Sequence, residues 1–204
     1  MNTMICILTG DIKGSRKAKS KNWLAELKEL FLQFGKNPTD WEIYRGDEFQ
    51  IEIKDCEEAL LIAFQIKAFL RTISLDARMS IGIGEKTSKA KRISESNGSA
   101  FVYSGEAFEV MKKNKINLVV QSANNQFNKD MNLLIRLGLS FMDNWLAQQA
   151  EYVLLAINNP KLSQEEMGEI LKINQAAVSK RRKRANFDLM LEINLAYVEK
   201  LKML

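Results

Sequence analysis

The hydrophobic period of this chain changes once, near residue 122, and that change limits the architectures open to it. Before it, strand-like alternation and helix-like spacing interleave; after it, only helical spacing remains. Residues 4–8 (MICIL) read as a buried strand, and residues 21–34 repeat Trp23, Leu24, Leu27, Leu30, Phe31 and Phe34 at helical spacing. Two period-two runs follow, one holding Trp41 and Ile43, the other Phe49, Ile51 and Ile53. Gly46 and Asp47 separate them, and Gly at the first turn position suits a type II′ hairpin. Residues 57–73 return to helical spacing (Leu60, Ala63, Phe64, Ile66, Phe69, Leu70, Ile73), and Met79, Ile81 and Ile83 alternate as a fourth strand.

The order β-α-β-β-α-β is the split βαβ of ferredoxin-like antiparallel sheets. A helix at about 100–113 and a strand at 116–121 (INLVVQ) extend it. The polar, amide-rich run ANNQFNKDMN then predicts a linker at 123–130, with helices alone beyond it. The expected fold is therefore α+β: a sheet domain over 1–122 and an all-α domain over 131–204.

Topology brings two acidic motifs together. The first strand ends in TGDIKGSRK, and in such a sheet the hairpin turn comes down beside that end, so Asp11 and Asp47 should be neighbours. Paired carboxylates at a sheet end, with Gly10 and Gly14 permitting close backbone approach, suit Mg²⁺ and nucleotide phosphates. Arg16, Lys17 and Arg45 flank the place where phosphates would lie. The plainer alternative is that Gly-Asp pairs form turns and their carboxylates are solvated. The chain has no histidine, which excludes His general bases and His-ligated metals. Cys6 and Cys56 lack metal-ligand spacing, and no disulfide is expected of them. No apolar run reaches the roughly 20 residues that span a bilayer, and residues 1–10 do not make a signal peptide, so a cytoplasmic protein with no membrane partner is expected.

The pairing of GDIKGSRK with RGDEFQIEI resembles the class III nucleotidyl cyclases, whose palm-like fold is shared by GGDEF-type cyclases. A closer likeness is to the SatD family, in GDIKGSR, GDEFQ, SIGIGE and GSAFVYSGEAFEVMKKNKINLVV, which occur in that order over most of the first 122 residues. The cyclase resemblance implies metal ligation by Asp11, Asp47 and the Ile12 carbonyl, with Gly14, Ser15, Arg16, Arg45 and Glu48 near a nucleotide. It also maps a transition-state pair onto Ser88 and Arg92 if KTSKAKRI is helical; a helix at 100–113 leaves no such pair. Trp41 stands where cyclases carry an adenine-selecting Lys.

Residues 162–185 (LSQEEMGEILKINQAAVSKRRKRA) read as a helix-turn-helix. Ser163 with Glu166 forms a capping box, Met167, Ile170 and Leu171 give a buried stripe, and Asn174 caps a second helix whose Ala177 and Val178 face inward. The unit resembles the region-four helix-turn-helix of sigma factors, with Lys172 in place of a turn Gly and Arg182 in place of an apolar residue. Gln175, Ala176 and Ser179 are expected at base edges and Lys180, Lys183 and Arg184 on phosphates; a net charge of +5 agrees with a polyanionic partner. A helical stretch at 131–158 (Trp145, Leu146, Leu154) and another at 187–202 (Phe187, Met190, Leu191, Val198, Leu201) are expected to pack this part or supply a homodimer contact.

The expectation is a DNA-binding regulator whose first part binds a nucleotide triphosphate or related nucleotide with Mg²⁺. The alternatives are an active nucleotidyl cyclase or nucleotidyltransferase, and a DNA-binding module with a degenerate, dimerising first domain.

Overall fold

The computed structural model describes residues 4–15 and 22–204. Five strands, β1 (Met4–Lys13), β2 (Trp41–Tyr44), β3 (Glu48–Ile53), β4 (Asp76–Glu85) and β5 (Leu118–Gln121), form one sheet in the order β2-β3-β1-β4-β5. β1 runs antiparallel to β3 and β4, and β2 to β3. β5 is parallel to β4, so the sheet is mixed rather than wholly antiparallel. The cause is helix α3 (Ser99–Asn114), which carries the chain back across the sheet before β5 begins, as a parallel pairing requires.

Alternation gives each face its own partner. Cys6, Leu8 and Ile12 of β1 join Phe49, Ile51, Met79 and Ile81 in a core completed by helices α1 (Trp23–Leu32) and α2 (Ala59–Thr72). On the other face Ile5 and Ile7 meet Ile93 and Ala100 under α3. That helix lies very close to β4: a Cβ on Gly82 would fall 2.1 Å from the Ala100 carbonyl oxygen. Any larger residue there must push α3 off the sheet.

The amide-rich segment expected as a linker is instead the start of helix α4 (Asn125–Met142). Its polar residues have structural work that a linker reading overlooks. Asn124 caps the helix by accepting from the Gln126 and Phe127 N–H groups, both at 3.0 Å. Asn132 pairs with the backbone of Val120 on edge strand β5, accepting from its N–H at 2.9 Å and donating to its carbonyl at 2.8 Å. One side-chain amide thus satisfies backbone groups that an edge strand leaves open.

The remaining helices are α5 (Ala147–Asn158), α6 (Gln164–Leu171), α7 (Gln175–Arg184) and α8 (Phe187–Leu201). The expected single stretch over 131–158 is broken between Met142 and Ala147. The break buries Trp145, whose indole N–H donates to the Ala185 carbonyl at 2.9 Å. α2 packs on α5, α4 packs on β5 and α8, and one continuous apolar core runs from the sheet through Met131, Trp145, Tyr152, Val178 and Tyr197. In α8 the core positions are Phe187, Met190, Ile193, Tyr197 and Leu201, whereas Leu191 is exposed. No described helix is long and apolar enough to cross a membrane.

Candidate functional site

The hairpin turn does come down beside the end of β1. Its loop is Arg45, Gly46 and Asp47, one residue longer than the expected type II′ turn, with positive φ at Arg45 (52°) and Gly46 (89°). The Ile12 N–H donates to the Asp47 carbonyl at 3.0 Å. In a strand the N–H and C=O of one residue point the same way, so the Ile12 carbonyl also faces the turn. Ser15 Oγ donates to Asp47 Oδ2 at 2.9 Å. Asp11, Ile12, Lys13, Gly14, Ser15, Asp47 and Arg78 line one open cavity of about 440 Å³.

Sequence reasoning missed Arg78. Strand register sets it directly opposite Asp11, and its guanidinium grips the carboxylate as a fork, with Nε donating to Oδ1 at 2.9 Å and Nη2 to Oδ2. The bond to Asp11, with Asp47 adding its charge, raises the Arg78 pKa above the ordinary arginine value. Glu48 stands directly opposite Asp11 in the β1–β3 register, and its carboxylate lies 3.8 Å from the exposed Arg45 and 3.8 Å from Lys112. Arg16 and Lys17 lie outside the described residues. No group of three or more acidic, cysteine or histidine side chains is placed to hold a metal among the described residues. Two carboxylates and a carbonyl are the oxygen donors Mg²⁺ prefers, so the donor chemistry fits, with Arg78 already engaging both oxygens of Asp11.

Ser88 and Arg92 do not lie on a helix. Ser88 pairs with Asn97 in an isolated bridge, and Arg92 is extended (φ −118°, ψ 141°) with its guanidinium on Glu42. Burial, the largest single effect, pushes the Glu42 carboxyl up, but the contact with Arg92 and a bond from Ser94 together outweigh it and hold the carboxyl below its usual range. The helix after β4 is α3, whose sequence contains no Arg. The KTSKAKRI segment stays non-helical because it covers β2 and β3, where Arg92 pairs with Glu42 and Lys86 with Glu52.

In the second half, the expected caps are present. Ser163 and Glu166 cap α6 reciprocally, the Asn174 side chain accepts from the Ala177 N–H at 2.9 Å, and Lys172 ends α6 in the left-handed conformation (φ 54°). Ile170 departs from its expected burial and is 55% exposed. The buried pair on α6 is Met167 with Gly168, because a Cβ on Gly168 would lie 2.7 Å from the Ile173 carbonyl oxygen. The missing side chain lets the turn fold closely onto α6.

The basic run on α7 divides in two. With about 3.6 residues per turn, Gln175, Ala176, Ser179, Lys180, Lys183 and Arg184 share one half of the helix surface. All six are exposed. The other half packs inward: Val178 is buried, Arg181 pairs with Glu151 at 2.6 Å, and Arg182 bonds Asp188 at 3.1 Å with its guanidinium carbon 5.5 Å from the Phe187 ring centroid. Lys180, Lys183 and Arg184 have no ion-pair partner among the described residues.

A polar chain that the sequence did not announce runs between these two regions. Lys13, in the cavity wall, donates to Asn117 Oδ1 at 3.0 Å, and Asn117 donates to Asp143 Oδ2 at 2.8 Å. Asp143 Oδ1 lies 2.6 Å from the fully buried Lys67 Nζ, off the hydrogen-bond direction, so this contact is ionic. Lys67 also donates to Asp76 at 2.8 Å. Arg71, 4.0 Å from Asp76, donates to the Trp145 carbonyl, and Trp145 in turn reaches Ala185 just past α7. The signal available in sequence was Lys67 itself, a cation amid the apolar run of LLIAFQIKAFL.

Compared with known proteins, the chain is matched over residues 7–199 by the model of the SatD family. No curated protein matches it.

Proposed function

The chain belongs to the SatD family, and from that premise we propose that its sheet and helices act together as a cytoplasmic, regulator-like DNA-binding protein with a nucleotide pocket. In this reading α6 and α7 are a helix-turn-helix whose second helix enters the major groove. The ferredoxin-like, cyclase-related sheet holds a nucleotide with Mg²⁺ between Asp11, Asp47 and the Ile12 carbonyl. The observation that carries the proposal is the division of the basic run: Arg181 and Arg182 are spent on internal pairs, while Lys180, Lys183 and Arg184 stand exposed beside Gln175, Ala176 and Ser179. A structural role accounts for the first two arginines and leaves the other three cations unexplained; contact with phosphates explains them.

When bound, Mg²⁺ would neutralise polyphosphate oxygens and orient them. Asp47 would hold it with Ser15 fixing the carboxylate, and Gly14 would let the backbone approach. Binding is favoured over turnover, since α3 offers no Asn-Arg pair to support a transition state and Arg92 is engaged by Glu42. The nucleotide is then a regulatory ligand.

The DNA reading is tested by selecting preferred duplexes from a random pool. Gln175→Ala and Ser179→Ala should relax or change the preferred bases, by about 1–3 kcal/mol of discrimination for a good contact. An unchanged preference with undiminished affinity would remove α7 from the base edges. The pocket reading is tested by equilibrium binding of labelled nucleoside triphosphates with Mg²⁺: Asp47→Asn should lower affinity at least about tenfold, as expected when an ion loses a charged ligand. Equal binding by the variant would place the nucleotide elsewhere.

A further inference from the structure

Arg78 owes its place to strand register. β1 and β4 set it opposite Asp11, and the fork contact engages both carboxylate oxygens. The Arg78 side chain is 30% exposed and that of Asp11 13%, so the pair borders the cavity without being lost in bulk water. Lys13, the other cation lining the cavity among the described residues, is held by Asn117. The folded pocket therefore already balances its carboxylates with cations of its own.

A divalent ion changes that balance. Mg²⁺ demands near-octahedral oxygen ligands at about 2.0–2.1 Å, and a guanidinium that engages both oxygens of a carboxylate leaves only their outward lone pairs for a metal. Two cations on one carboxylate also repel. The planar fork that fits a carboxylate fits a phosphate equally well.

We propose that Arg78 is the resident counter-ion of this pocket: it occupies Asp11 in the absence of metal, leaves it when a divalent cation binds, and then takes a phosphate oxygen of the polyphosphate accompanying the metal. This inference rests on the reading of the pocket as a metal-nucleotide site and adds its order of assembly. Metal alone must displace Arg78 with no new partner for the guanidinium, whereas metal and polyphosphate together supply one. The two ligands are therefore positively coupled, and by linkage each raises the affinity of the other by the same factor.

The test uses the full-length protein and two probes, Mn²⁺ alone, followed by electron paramagnetic resonance, and the preformed complex of Mn²⁺ with inorganic tripolyphosphate, followed by calorimetry. Arg78→Met should bind Mn²⁺ alone about tenfold more tightly than the wild type, the order expected for one charge-assisted contact, while its affinity for the tripolyphosphate complex should change little, so that the coupling between metal and polyphosphate falls about tenfold. Arg78→Lys keeps the charge without the fork; it should raise the affinity for Mn²⁺ alone and lower the coupling by smaller factors, and it carries the test if the methionine variant does not fold. Equal Mn²⁺ affinity in wild type and Arg78 variants, with Asp11→Asn abolishing binding, would overturn the counter-ion role and leave the metal site standing. Absence of Mn²⁺ binding in every protein, with and without tripolyphosphate, would overturn the metal reading of the pocket, and the inference with it.

Discussion

Replacing Lys67 with methionine is expected to lower the unfolding free energy by about 3–5 kcal/mol, the range for removing one partner of a buried ion pair. Lys67 is fully buried and within 2.8 Å of Asp76 and 2.6 Å of Asp143. Methionine fills a similar volume, so packing changes little. What is lost is the cation between two carboxylates, of which Asp76 is itself buried. Arg71, at 4.0 Å from Asp76, offsets part of this, which argues for the lower end of the range. Because single domains have a total stability of about 5–15 kcal/mol, the loss should be plain in urea unfolding. The exposed Lys129, changed to methionine, serves as control and should shift stability by no more than about 0.5 kcal/mol. A loss below about 1 kcal/mol for the Lys67 variant would mean that the buried ion pair contributes little to stability.

The same lysine joins the two parts of the chain. Asp76 begins β4, while Asp143 follows α4 at the break that positions Trp145, and Trp145 bonds to the backbone just beyond α7. If nucleotide occupancy influences DNA binding, the polar chain from Lys13 through Asn117 and Asp143 is the contiguous physical link between the two sites. Contiguity shows where coupling would travel, and its size is a separate quantity to be measured.

How much of this was legible in the sequence depended on which interaction set each residue's place. The nearness of Asp11 to Asp47 followed from strand order, because a split βαβ leaves one side for the hairpin to fall on. Arg78 did not follow, since its facing Asp11 depends on the exact register of β1 against β4, and a lone arginine on an alternating strand reads as solvated. The caps at Ser163 and Asn174 were legible because capping is local. Ile170 was misread because apolar spacing alone does not reveal that Gly168 brings the turn against α6 and moves the buried stripe. The asparagines of α4 were misread because an amide that pairs with a strand edge looks, in sequence, like one that faces water. Helical spacing already set Arg181 and Arg182 apart from Lys180, Lys183 and Arg184, whereas their partners Glu151 and Asp188 depend on tertiary packing and were not legible.

Changing Lys180, Lys183 and Arg184 together to alanine is expected to weaken binding to duplex DNA by about two to three orders of magnitude near 0.1 M salt. Each phosphate contact contributes a slope of about −0.9 to log K against log salt, so three contacts amount to about 2.7 log units between 0.1 M and 1 M. The loss should be similar for unrelated sequences, because phosphate contacts carry no base information. Fold should be intact, since all three side chains are exposed and without ion-pair partners among the described residues.

The most direct test of DNA binding through α7 is the salt dependence of that affinity, measured side by side for the wild type and the triple alanine variant on one duplex. The account predicts a wild-type line steeper by about 2.7 units of slope, with the two lines converging towards 1 M salt. Parallel lines, or equal affinities at every salt concentration, would contradict it.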